Sequence, residues 1–316
     1  MVINMRYNMK KKKNDILTGC LCALVCEFLY GLSYIFTKNA TDSASVPALL
    51  GWRFVVAFIV LSACAAAGVV KIDLKGRNIK PLLLIALLDP VIYFIFETAG
   101  ISRTTASESG AFLACIPVAS LIASSAILKK RPSKRQTAGI ITTLAGVLTT
   151  VLAVGATASL SVSGYVFLLG AVVLYALYSV FVEKADGFSS IEITYVMLAA
   201  GAAVFSTLAV AEAIIKGSIT ELVALPVKNM GFLTAVIYQG IGCSVLAFFM
   251  SNVAISNIGV NRTSSFIGIS TVVSIISGVI VLGESFSAYQ AIGAAVIVAG
   301  IYISNSATGN DDVKER

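Results

Sequence analysis

The sequence contains no histidine. That removes the commonest metal ligand and the side chain that titrates near neutrality, so metal centres of the His-Glu-x-x-His kind are excluded and proton coupling would have to run through carboxylates. Charge is the next scarcity. Asp, Glu, Lys and Arg make up 12% of the 316 residues against 58% apolar ones, and the mean hydropathy is +0.92. A soluble domain carries roughly 25% charged residues, so a water-soluble globule is ruled out. No Gly, four residues, Gly, Lys, Ser/Thr run occurs, so a P-loop for ATP is absent and no nucleotide cofactor is expected. The six cysteines (20, 22, 26, 64, 115 and 243) all lie in apolar runs, where free Cys acts as a small hydrophobe, so neither a disulfide framework nor a metal pair at Cys22 and Cys26 is expected.

What the chain has in abundance is apolar windows. They fall at 16–37, 47–69, 81–101, 105–128, 136–154, 164–183, 191–214, 229–250, 260–282 and 288–304, each near the roughly 20 residues that a membrane span needs. The expected fold class is therefore all-α integral membrane with ten transmembrane helices. The first window is too long for a signal h-region, carries Glu27 at its centre and lacks a small-residue cleavage site, which reads as a retained span. An even number of spans puts both tails on one side. With the amino terminus in the cytoplasm, 18 of the 23 basic residues fall on that side, the bias that orients membrane proteins. The expectation is a multi-pass cell-membrane protein with both termini cytoplasmic. The Lys/Arg runs abut spans, so no nucleic-acid partner is read from them.

An internal repeat is the most specific feature. At a shift of 154 residues, without gaps, 101–147 matches 255–301 at Phe112/Phe266, Ser120/Ser274, Gln136/Gln290, Gly139/Gly293 and Gly146/Gly300, among others. Leu29 to Leu32 likewise answers Leu174 to Leu177. Each half holds five spans, an odd number, so the second copy is expected to sit upside down relative to the first. Such inverted repeats, around a central midplane cavity, are a secondary-transporter architecture. The expected layout is a basic tail at 1–15, repeats at 16–155 and 162–305, and a tail at 306–316.

Several residues carry a resemblance. Leu29, Tyr30 and Gly31 through Lys38 look like the first-span signature of the drug/metabolite transporter superfamily, EamA-like branch, with Tyr where that pattern usually has Trp. Arg53 and Phe54, Pro117 and Val118, the run Leu282, Gly283, Glu284, and the pairs Gln136/Gln290 and Gly139/Gly293 resemble its second, fourth, ninth, fifth and tenth spans. Lys129 and Lys130 depart from it where the first copy would have Gly and Glu, and Thr271 where the second would have Pro. The resemblance implies a ten-helix permease for small solutes.

Two signals locate the expected site. Pro90 falls mid-span, where its ring denies the Ala86 carbonyl its usual partner, and Asp89 before it is a natural N-cap for a restarting helix. At the shift of 154, Gly240 and Gly242 oppose Ala86 and Leu88, so both halves are expected to weaken at one depth. Paired interruptions point to a transporter's binding site; the alternative for Pro90 is a kink satisfied by neighbouring hydroxyls. The second signal is intramembrane charge. Glu27 lies near mid-span, and Asp89, Tyr93 and Glu97, spaced by four, form one stripe; a charge at the bilayer centre costs about 2.5 to 3.5 kcal/mol, so the carboxylates are expected to face the bundle interior, pair or stay protonated.

The expected substrate-binding residues are Glu27, Tyr30 and Tyr34 on the first span, Asp89 and Tyr93 on the third, Tyr175 and Tyr178 on the sixth, and Gln239 and Ser244 on the eighth. The expected gating residues are Arg53, Glu97, Glu108 and Arg262. Glu97 is expected to pair with Arg53, Glu108 to close an outer gate with Arg53 or Arg103, and Arg262 an inner one against Glu183 or another acid. Thr263, Ser270, Ser274 and Ser277 form a hydroxyl line, read either as cavity wall or as interhelical glue. The glycine pairs of spans five and ten read as packing surfaces.

The function expected is secondary transport of a small organic solute in the lipid bilayer, with export of an amino acid, related metabolite or drug foremost. Proton coupling through Glu27 or Asp89 and uncoupled exchange both stay open, and no oligomeric state follows. A non-transporting receptor or assembly subunit is the alternative. An integral-membrane enzyme fits less well, because the short loops hold no catalytic constellation.

Overall fold

A computed structural model describes residues 2–41, 44–103, 112–152, 161–282 and 287–306, and all regular structure among them is helical. In chain order the helices are α1 (Val2–Thr41), α2 (Val46–Ala66), α3 (Lys80–Ala86), α4 (Tyr93–Ile101), α5 (Ile116–Ile127), α6 (Lys134–Leu152) and α7 (Val162–Lys184). They continue with α8 (Ser190–Lys216), α9 (Ile219–Lys228), α10 (Met230–Ile237), α11 (Phe248–Ile258), α12 (Val260–Ser265), α13 (Gly268–Leu282) and α14 (Ala288–Asn305). Among the described residues eight stretches are long and apolar enough to cross a membrane, the longest being Met230–Ile258. The chain is therefore a multi-pass membrane protein. The fourth and fifth windows appear as α5 and α6, which fall outside those eight.

Local chemistry starts these helices. Ser45, Ser161, Ser189 and Ser287 stand at N-caps, each hydroxyl accepting a backbone N–H three residues on, which satisfies a donor that the helix geometry orphans. Ser189 with Glu192, and Ser287 with Gln290, complete reciprocal capping boxes. Packing then follows the aromatic residues. Phe54 of α2 lies 5.3 Å from Phe205 of α8 and 5.8 Å from Phe94 of α4, ring centroid to centroid, at the heart of the largest buried cluster.

The fifth and tenth windows pack through their glycines, as their spacing predicts. A Cβ on Gly139 would sit 2.6 Å from the Gly300 carbonyl oxygen, and one on Gly300 only 2.8 Å from the Gly139 carbonyl oxygen. Only hydrogen side chains let α6 and α14 approach so closely.

The interruption in the third span is there. Between α3 and α4 the chain makes π-helical turns over Leu87–Ile92, and Asp89 leaves helical geometry altogether (φ −142°, ψ 121°) before a cis bond to Pro90. The matching interruption lies between α10 and α11, where Tyr238–Ala247 is wound as π-helix around Gly240 and Gly242. Shifted back by 154 residues, that segment brackets Leu87–Ile92. Its backbone nevertheless stays helical, because glycine loosens a helix without removing a donor.

Candidate functional site

The second interrupted segment packs against α2, whose Arg53 also lies within electrostatic reach of Asp89 in the first. Arg53, on α2 and only 6% exposed, donates from Nε to Ser244 Oγ at 2.7 Å and from Nη1 to Gln239 Oε1 at 3.3 Å. Its guanidinium also lies over the rings of Phe54 and Phe94, 5.4 and 5.0 Å from their centroids. A planar fork with five donors suits such a mixed polar and aromatic seat, which a lysine could not fill in the same way. Asp89, 4% exposed, lies within electrostatic reach of Arg53 and Glu97, and its Oδ1 is buried with no hydrogen-bond partner. Asp89 thus stands at the break where it was expected to act as an N-cap, but this oxygen caps nothing.

Aromatic hydroxyls surround this pair. Tyr93 is 5.8 Å from Tyr175, Tyr175 is 5.5 Å from Tyr178, and Tyr30 packs edge-on to Phe248. Tyr30, Tyr93, Tyr175 and Glu97 are surrounded by protein yet keep accessible surface. All four lie within electrostatic reach of Asp89. Glu27 is buried on α1 beside Ser270 of α13 and within reach of Tyr175. Most of the expected binding residues, drawn from four different spans, converge on this one region.

Other expectations need correction. Glu97 is not ion-paired with Arg53: it accepts the Tyr93 hydroxyl at 2.8 Å, one turn away, while Arg53 is held by the eighth span. The i,i+4 neighbour wins because it needs no reach across the bundle. Tyr178 is not a wall residue. It is packed and donates to Asn252 Oδ1 at 2.8 Å, and Asn252 Nδ2 donates to Thr194 Oγ1 at 3.0 Å. This buried polar chain was missed in the sequence, although an amide in an apolar run is itself a signal. Of the hydroxyl line of the ninth span only Ser274 bridges helices, donating to the Gly31 carbonyl at 3.1 Å, whereas Ser270, Ser277 and Thr263 donate to backbone carbonyls three or four residues before them.

At one end of the bundle Glu183 takes Lys130 as its ion-pair partner and accepts the Val260 N–H at 2.7 Å. Arg262 is buried two residues further on. Arg103 donates to the Ala99 carbonyl at 2.7 Å and lies 5.0 Å from the Phe167 ring centroid. Glu108 and the Tyr34 side chain lie outside the described residues. Among the described residues no cluster of three or more His, Cys, Asp or Glu could hold a metal ion.

Comparison with known proteins gives the same outline. The model of the "EamA-like transporter family" matches residues 17–152 and again 162–306. The chain is 31% identical to the "Uncharacterized transporter YcxC" of Bacillus subtilis (strain 168), covering 90% of this chain and 92% of that one. It is 24% identical to the "WAT1-related protein At4g08300" of Arabidopsis thaliana, over 93% and 86% of the two chains. A solved crystal structure superposes with a TM-score of 0.74 at 19% identity, covering 90% of this chain and 97% of the other, which speaks for the fold alone.

Proposed function

The chain belongs to the EamA-like transporter family, and on that premise we propose that it is a secondary transporter moving a small organic solute across the cytoplasmic membrane by alternating access. In this reading ten spans form two inverted five-helix repeats, both termini lie in the cytoplasm, and the net direction is export of an amino acid, a related metabolite or a drug. One observation carries it: Arg53 of the first half is held by Gln239 and Ser244 of the second, facing Asp89. A site made jointly by both halves is remade whenever they rock against each other, which is what alternating access requires. Tyrosine faces and carboxylates gathered in one region of the bundle favour a cationic or zwitterionic solute over a polyanion.

The test is a thermal-shift screen of the purified chain against amino acids, polyamines, nucleosides and drugs, followed by liposome flux of each hit with and without a pH gradient. Saturable flux abolished by Arg53→Ala supports the reading. Binding without flux in any condition overturns it in favour of a receptor or assembly role. Flux that follows the pH gradient in the wild type but not in Glu27→Gln or Asp89→Asn assigns the proton to that carboxylate, and full coupling in both variants removes the proton role.

A further inference from the structure

The connection between the seventh and eighth windows carries a helix that the spans do not account for. α9 has ten residues, Ile219 to Lys228, none of them buried. At 100° per residue its side chains sort into three faces. Leu222 and Leu225 turn toward the bundle, where they line a groove of about 220 Å³ with Ala44, Ala48 and Ala209, and where the Leu222 carbonyl accepts the indole N–H of Trp52 at 3.0 Å. Glu221 and Lys228 form a polar face beside Leu225, with Glu221 at the rim of the same groove, and lie across the helix from the valines. On the remaining side Ile219, Val223 and Val227, spaced by four, form an apolar strip left open by the described residues: Ile219 is 45%, Val223 62% and Val227 88% exposed.

We propose that α9 lies flat in the membrane interface, with Ile219, Val223 and Val227 sunk among the lipid acyl chains, Glu221 and Lys228 in the headgroup layer, and Leu222 and Leu225 pinned to the bundle. What covers the strip is indicated by its continuity. Val210, Ile214 and Ile215 at the end of the membrane-spanning α8, and Met230 and Ile237 on α10, are exposed large hydrophobics that run into it on either side. Gly217, in left-handed geometry (φ 65°), supplies the corner that turns the chain out of α8. A protein face, a lipid face and a water face on one short helix is the arrangement of an interfacial segment, whose apolar side sits about 5–10 Å deep. α9 thereby braces the start of α2, through Trp52, against the membrane plane. The inference goes beyond the transport reading and stands or falls without it.

The chain's single tryptophan makes the test clean. In a Trp52→Phe background, Val223→Trp and Val227→Trp report the strip, and Glu221→Trp and Lys228→Trp the polar face, in full-length protein reconstituted into phosphatidylcholine vesicles. Shallow brominated phosphatidylcholine is expected to quench Val223→Trp and Val227→Trp about twofold while aqueous iodide leaves them nearly unchanged, and the reverse for the polar-face pair. Iodide quenching of the strip variants overturns the proposal. So does quenching by neither agent together with a cross-linkable dimer, which would assign the strip to a second copy of the chain. Repeating the series with Trp52 retained, by difference, guards against loosening of α9 when its bond to Leu222 is lost.

Discussion

The interrupted segments Leu87–Ile92 and Tyr238–Ala247 occupy equivalent places in the two halves, yet they are built and equipped differently. In the first, proline removes a backbone donor outright and Asp89 is thrown into extended geometry, its carboxyl turned among buried groups with Oδ1 unpartnered. In the second, glycines relax the winding without breaking it, and the side chains delivered are neutral: Gln239 and Ser244, both engaged by Arg53. The lesson is a division of labour. One half contributes charge and a real break, the other contributes dipoles that hold the partner charge between them. Low dielectric makes both roles strong, since a buried charge needs organised dipoles or a counter-charge to remain.

Arg53→Ala should disturb this arrangement most. It takes the donor from Ser244 and Gln239 together, and hydrogen bonds to a charged group are worth about 1.5–3 kcal/mol each. Liposome flux of an identified solute is expected to fall about a hundredfold, with Arg53→Lys recovering only part because an ammonium cannot reproduce the fork. Unchanged flux in Arg53→Ala would break the joint-site picture.

Asp89→Asn separates function from structure. Its Oδ1 has no partner to lose, so thermal stability of the purified protein should hold or rise slightly, while flux drops about tenfold. A large loss of melting temperature would make Asp89 a structural group. For Gly240→Ala, a Cβ would come 3.1 Å from the Arg53 carbonyl oxygen and 3.3 Å from Val56 Cγ1, so the second segment must shift. A cost of about 1–3 kcal/mol is expected in denaturant melts, together with weakened flux. Gly242→Ala meets nothing nearer than 3.7 Å, on the Tyr238 ring, and should stay within about 0.5 kcal/mol of the parent. Equal effects at the two glycines would mean that the winding, not the fit against α2, matters there.

Much of this could be read before any coordinates. Eight of the apolar windows, the glycine faces of α6 and α14 and the interruption at Pro90 are local or periodic features, and each lies where the spacing put it. The gathering of Asp89, Tyr93, Tyr30 and Tyr175 was legible too, because lipid leaves a polar stripe only the bundle interior to face. Pairings across the bundle were not. Arg53 with Gln239 and Ser244, separated by 186 and 191 residues, and Lys130 with Glu183 depend on how far each helix is rotated, which no single helix records. α9 was missed for a different reason: ten residues are too few to register as a span, and its strip of three apolar residues gains meaning only beside the bundle.

By itself, the order of residues determined that this chain must live in lipid, where it must be helical, and in which two segments its helices are weakened. Those outcomes follow from the cost of unsatisfied backbone in hydrocarbon and from the chemistry of proline and glycine, both felt one segment at a time. Tertiary structure alone decided which polar groups satisfy one another, placing the charge of one half in the grip of the other. Partner choice in a membrane interior is settled by the distance and rotation between helices, and those are properties of the packed bundle.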